Sequence, residues 1–352
     1  MFKNLKIIEL ASVFAGPSTG MFFAELGAKV IKIENKITAG DITRKWKLKN
    51  EKEKSISAYF SSVNWGKEHV FLNLNDPEDK NKIHELIKEA NIVISNFKSG
   101  DAEKFCLSFE DCKKINKHII YAKLEGFKSN KSRVAYDVVI QAETGYMSMN
   151  GQPSSPPTKM PLAMMDILAA HQLKEGILVA LIKQRDNPQA YCVETTLEEA
   201  AIASLANQAA NYLMVNHIPI QLGSLHPNIA PYGEVITTKD QIQIVLAIGS
   251  DKQFYLFADL LKIETPLLGN FKTNLLRVKN RAELIQLLQS KANNIIAKEL
   301  LNHCHKLNIP VGEIKNIKEV LKNKTATNMI LEEKVENEMT KRVASIAFKI
   351  YS

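Results

Sequence analysis

The sequence predicts an α/β protein whose first part is a parallel sheet covered by helices and whose later part is a second, smaller α/β unit. Three observations lead there. Near the N-terminus the β-branched runs "LKIIEL" and "KVIKIE" flank an apolar stretch of helical length, "MFFAEL", closed by Gly27. The same alternation of strand and helix signals returns before residue 140. After a Pro- and Gly-punctuated, non-periodic stretch, "HIPIQLGSLHPNIAPYGEV", strand and helix signals resume. Strands alternating with helices favour parallel pairing, because each crossover needs a helix to return the chain.

In chain order, "LKIIEL" reads as a strand, "AGPSTG" as a turn, "MFFAEL" as a helix and "KVIKIE" as a second strand. "HVFLNLN" is a third strand. "DPEDKNKIHELIKEA" is a helix with Asp76 at its cap and Pro77 in its first turn, and "NIVISNF" is a fourth strand. "FEDCKKIN" is a short helix and "HIIYAKLEGF" a strand. Residues 166–184 form a long apolar helix, followed by the strand "YCVETT" and the small-residue helix "LEEAAIASLANQAANYLM". In the smaller unit "IQIVLAIG" is a strand, and "DKQFYLFADLL", "NRAELIQLLQSK" and "AKELLNHCHKL" are helices. The tail "KRVASIAFKIYS" suits one further strand.

Composition narrows the function. With 352 residues, 45% hydrophobic and 24% charged, the chain is long enough for more than one core. The formal charge of +8 suits an anionic partner, but the lysines are dispersed among Glu and Asp without a basic, aromatic-interleaved run. We therefore expect no nucleic-acid partner. No apolar run approaches the ~20 residues of a membrane span, and the N-terminus lacks a signal pattern, so a cytoplasmic protein without a membrane partner is expected. Cys106, Cys112, Cys192 and Cys304 have neither zinc-site nor disulfide spacing, and the histidines of "HCH" at 303–305 face different sides of a helix. No metal is expected.

The turn after the first strand poses the functional question. A dinucleotide turn needs three glycines in G-x-G-x-x-G spacing, whereas here Gly16 and Gly20 stand alone. Other segments resolve it. In order, "SVFAGPSTGMFFAELGAKVIKIE", "GDITR", "NWGKEHVFLNL", "ISNFKSGDAEKFCLSFEDC", "LEGF", "AYDVVIQAETG", "MPLAMMDILAAHQLKEGILVAL", "HPNIAPYGEV", "GSDKQF" and "NIPVGEIKN" resemble the class III CoA-transferase family, which includes formyl-CoA, carnitine and bile-acid CoA-transferases. The match runs from residue 5 to about residue 316.

The resemblance implies a Rossmann-like, CoA-binding large domain at 1–200, a linker at 201–225, a small α/β domain at 226–300 and a returning segment at 301–352, shorter than in the family. It also implies an interlocked homodimer. Coenzyme A would enter as acyl-CoA, with a small carboxylic acid as the second substrate. By position in the motifs, Val13, Phe14 and Ala15 would line the CoA path, with Gly16 and Pro17 shaping the turn. Arg44 and Lys67 would meet its phosphates, Asn96 and Phe97 would contact it, and Tyr136 and Trp46 would belong to the substrate pocket. Asp166 aligns with the family's catalytic aspartate. At a helix start it would accept bonds from unpaired backbone N–H groups and stay ionised, ready to form an aspartyl anhydride and then an aspartyl-CoA thioester. An acyl-CoA racemase or isomerase of the same superfamily is the alternative, as is a non-catalytic acyl-CoA binder. Tyr136 stands where the racemases carry a histidine base, and a phenol is a poor base at neutral pH.

Overall fold

The first apolar run becomes strand β1 (Lys6–Leu10), and the alternation that follows gives β2 (Lys29–Asn35), β3 (Lys67–Leu72), β4 (Ile92–Ser95), β5 (Ile120–Glu125) and β6 (Tyr191–Thr196). These come from a computed structural model that describes residues 2–53 and 55–351. All six pair in parallel, with Ile7 of β1 opposite Val30 of β2 on one side and Ile92 of β4 on the other. The order is β3-β2-β1-β4-β5-β6, that of a dinucleotide-binding sheet. The chain therefore reverses its winding direction between β1 and β4.

Both faces of this sheet are covered. On one face helices Ala15–Glu25 and Met164–Asp186 pack over Ile7, Val30, Ile92, Ile94, Ile120 and Ala122. On the other, helices Pro77–Lys88 and Phe109–Ile115 bury Ile83, Ile87 and Cys112 against Ile8, Ile31 and Val93. Burial on both faces explains why these strands read as continuous apolar runs. Asp76 caps its helix by accepting from the Glu78 and Asp79 amides, with Pro77 in the first turn, as the sequence predicts.

The segment "AGPSTG" is not a turn. It forms the first part of the helix Ala15–Glu25, and the reversal lies before it, at Val13, whose φ is 71°. The two glycines have packing roles: a Cβ on Gly16 would collide with Ala11, and one on Gly20 with the buried Glu9 carboxylate. Their i, i+4 spacing brings this helix close to β1 and leaves the dinucleotide fingerprint unneeded.

The chain divides into two units. The first comprises Met1–Met147, Lys159–Ile218 and Lys324–Ser352; the second comprises Ser148–Thr158 and Pro219–Asn323. The second holds the antiparallel sheet β7 (Tyr232–Thr237), β8 (Gln243–Ala247) and β9 (Val311–Glu313), with its own core of Ile236, Ile244, Phe254, Phe257, Leu284 and Leu300. It extends beyond residue 300 because helix Ala297–Lys306 contributes Leu300 and Cys304 to that core and β9 pairs with β8. Only residues after 323 return to the first unit. They form a hairpin, β10 (Ile330–Val335) and β11 (Glu338–Val343), where one tail strand was expected. Arg342 pairs there with the buried Glu25 carboxylate. Among the described residues no helix is long and apolar enough to cross a membrane.

Candidate active site

In open parallel sheets the loops leaving adjacent strands diverge where the winding reverses, and a crevice opens at the strands' carboxyl ends. Here the loops after β1 and β4 meet there: the Ser12 amide donates to Asn96 Oδ1 at 3.0 Å, and Asn96 Nδ2 donates to the Ser12 carbonyl at 2.8 Å. Two cavities open on either side of this reciprocal pair, and Ser12, Asn96, Phe97 and Lys98 line both. The larger, about 470 Å³, lies over the ends of β1 to β4 and includes Ile33, Asn35, Lys45, Leu72, Asn75 and Phe105 in its wall. The smaller, about 210 Å³, lies toward β5 and β6. Val13, Phe14, Ala15, Tyr136 and Asp166 line it, together with the loop Lys131–Ala135.

A network of buried charge lies under the turn at Val13. Lys32 Nζ sits 3.1 Å from Glu9 and 3.1 Å from Asp41 and donates to the Ala11 carbonyl at 2.6 Å. Although burial opposes its charge, these carboxylates hold the Lys32 pKa above the ordinary value. Asp41 in turn accepts from the Val13 amide at 3.1 Å. This bond ties down a β-branched residue in the left-handed region, a costly conformation that the surroundings must impose.

That network accounts for two departures from expectation. Arg44 lines neither of these two cavities: it forms a two-pronged pair with the buried Glu34 (2.7 Å from each oxygen), stacks 4.0 Å above the Phe60 ring and reaches Glu336 at 3.0 Å. Arg44 and the His69 ring hold the Glu34 carboxyl far below the usual range, against its burial. Lys67 is fully enclosed, 2.8 Å from Glu9 and bonded to the Pro17 carbonyl and Asn64 Oδ1. Burial pushes its pKa down to about 8. Both cations are paired with buried carboxylates, Glu34 and Glu9, and line neither of the two cavities. Trp46 is also absent from both walls; it packs edge-on against Tyr59 at 5.1 Å, and Tyr59 against Phe14 at 6.0 Å. Besides the buried Lys32, the cations that line the larger cavity are the exposed Lys45 and Lys98. Each is a sequence neighbour of a residue singled out by motif, which is the signal that pointed close to them.

Asp166 is the third residue of the helix Met164–Asp186, inside its first turn rather than at its cap. The capping bond comes from elsewhere: Asp137 Oδ1 accepts from the Met165 amide at 2.7 Å. Asp137 is itself fixed by Gln141, whose amide donates to it at 2.6 Å and whose oxygen accepts from the Met160 amide at 2.7 Å. Asp166 is 9% exposed. Burial first, and then the nearby Asp137 charge, raise its pKa to about 7, so it is not held ionised as a capping carboxylate would be. A poorly hydrated carboxylate on a cavity wall, half ionised near neutral pH, is equipped for nucleophilic attack. Tyr59 faces the same charges, and burial followed by Asp166 and Asp137 raises its pKa to about 12. It thus remains a neutral hydrogen-bond donor. Among the described residues no group of three His, Cys, Asp or Glu side chains is placed to hold a metal ion.

The family model described as CoA-transferase family III matches residues 2–350. The chain is similar to succinate–glutarate CoA-transferase of Agrobacterium fabrum, 33% identical over 325 residues, covering 90% of this chain and 80% of that protein. It is also similar to human succinyl-CoA:glutarate CoA-transferase, 32% identical over 323 residues, covering 90% and 72%. Among solved structures, a CAIB/BAIF family protein from Brucella suis superposes with a TM-score of 0.84 at 32% identity, covering 98% of this chain and 91% of that one.

Proposed function

The chain belongs to CoA-transferase family III, and on that premise we propose that it moves CoA from a dicarboxylyl-CoA thioester to a free dicarboxylic acid, with Asp166 as the nucleophile. The observation that carries this reading is the position of Asp166: a buried carboxylate on the wall of a cavity that joins a larger one at the switch point of the sheet. The larger cavity has the volume of a nucleotide site. In this reading it takes the nucleotide end of CoA, with Lys45 and Lys98 as point charges for its phosphates. Asn96 and Phe97, at the junction, touch the pantetheine arm, which passes Val13, Phe14 and Ala15 to bring the thioester to Asp166. The relatives act on succinate and glutarate by name, which favours dicarboxylates over the formyl group.

The chemistry follows from an ionised Asp166. One carboxylate oxygen attacks the thioester carbonyl; the C–S bond breaks and its electron pair leaves on the CoA thiolate, giving a mixed anhydride. The thiolate returns to the aspartyl carbonyl and expels the donor acid as its carboxylate, leaving an aspartyl-CoA thioester. The acceptor carboxylate then repeats the sequence in reverse and restores Asp166. Burial of Asp166 favours each tetrahedral step by excluding water.

Two copies form the working unit in this reading. Helix Ala206–Val215 has no buried residue, and Leu213, Met214 and Val215 are exposed on it, as are Val179 and Ile182 on the long helix. An apolar surface of this kind suits a second copy.

Incubating the protein with acyl-CoAs and carboxylic acids, and identifying the CoA esters by mass spectrometry, tests the function. New esters of the added acid are expected. Exchange of the α-proton in deuterated water without any new ester would favour the isomerase, and binding without either reaction would leave a non-catalytic binder.

A further inference from the structure

The Asp166 cavity carries more positive charge than a thioester alone would need. Lys98, Lys131 and Arg133 line it, against the carboxylates of Glu125 and Asp166. The three differ in their surroundings. Lys131 lies 2.9 Å from Glu125 and 3.0 Å from Glu194, and Lys98 lines both cavities, placing it at the junction. Arg133 lines the Asp166 cavity alone.

Its guanidinium is held on two sides. Nη1 donates to Glu143 Oε2 at 2.7 Å, and Nη2 donates to Glu143 Oε1. The plane lies 4.3 Å from the centroid of the buried Phe127 ring. The Nη edge is therefore occupied by Glu143, which is not part of the cavity wall. A guanidinium has five N–H donors, and the fork formed by Nε and the adjacent Nη hydrogen is used by no described residue. A planar cation fixed by one carboxylate and an aromatic face, with its second fork open, is pre-organised for another carboxylate.

We propose that Arg133 reads the distal carboxylate of the dicarboxylate substrate, and so is the residue that sets preference for a diacid over a monoacid. The inference rests on the transferase reading above. It also meets an electrostatic need: a second carboxylate entering a small cavity beside Asp166 and Glu125 would be repelled without a facing cation. Lys131 is held between two glutamates, whereas Arg133 pairs with a single carboxylate, Glu143, outside the cavity wall and keeps a second fork of donors.

The test compares glutarate with valerate, the same five-carbon acid lacking the distal carboxylate, as acceptors from succinyl-CoA. In the wild type, kcat/KM for glutarate should exceed that for valerate. In Arg133→Gln, kcat/KM for glutarate should fall roughly 10- to 100-fold while that for valerate changes less than about 3-fold, as expected for loss of one charge-assisted, two-pronged contact. Valerate turnover also reports that the variant is folded. Equal losses on both acids, as for a residue holding CoA or the fold, would overturn the inference, as would an unchanged preference. A wild type that transfers CoA to neither acid would instead refute the transferase reading, whereas one that uses both equally would refute only the role of Arg133.

Discussion

Asp166 sits where chemistry and stability oppose each other. Its pKa in the folded protein is about 7, against 3.8 for the free side chain, with burial as the main cause and Asp137 as the second. Below pH ~4 both states are protonated and the group contributes nothing. As pH rises from about 4 to 7 the unfolded chain gives up this proton first, so the folded state loses stability progressively, up to ~4 kcal/mol above pH 7. Asp166→Asn should therefore melt higher than the wild type at pH 8, with the difference vanishing near pH 4, while transfer is abolished. Calorimetry across this range checks the stability. Activity should show the complementary trend, with kcat/KM rising through pH ~7 as the nucleophile ionises. In Asp137→Asn, which keeps an acceptor for the Met165 amide but removes the charge, that midpoint should move down. A midpoint unmoved by this change would mean that the two carboxylates are not coupled.

At the scale of elements, charge is used in two ways, and the two can be separated by mutation. Arg44 pairs with the buried Glu34 of β2 and Lys67 with the buried Glu9 of β1, so Arg44→Ala should cost about 3–5 kcal/mol by stranding Glu34 while leaving acyl-CoA affinity nearly unchanged. Lys45→Ala and Lys98→Ala should do the reverse, each raising the acyl-CoA Kd roughly 10-fold with little change in melting temperature. Denaturation and calorimetric titration of the three variants decide between these roles. The same contrast shows what the sequence could reveal. Strand and helix positions were legible because they depend on local period and capping: "YCVETT" is β6 residue for residue, and Asp76 caps as expected. The motif that singled out Asp166 led to a residue on a cavity wall. The internal pairing of Arg44 and Lys67 was not legible, because the partners that claim them are set by folding: Glu34 lies 10 residues from Arg44, and Glu9 lies 58 from Lys67. The cap supplied by Asp137 from 28 residues away was hidden for the same reason. "AGPSTG" misled because its glycines serve close helix–strand packing, which sequence alone does not distinguish from a turn.

For the whole molecule, a dinucleotide-type sheet supplies the crevice, and in the proposed covalent transfer the long helix supplies the nucleophile. If two copies cover the exposed apolar face of helix Ala206–Val215, the protein should run at twice 39.5 kDa in light scattering, and Leu213→Lys with Met214→Lys should weaken the assembly. A wild-type monomer would remove the second copy from the account. The most direct measurement concerns the covalent step itself. Wild type and Asp166→Asn are incubated with succinyl-CoA, quenched with hydroxylamine and digested, and the peptide containing residue 166 is examined by mass spectrometry. The account predicts a hydroxamate on Asp166 in the wild type, dependent on succinyl-CoA, and none in the Asn variant, which also fails to transfer CoA. Transfer by Asp166→Asn at the wild-type rate, with residue 166 unmodified in the wild type, would contradict it.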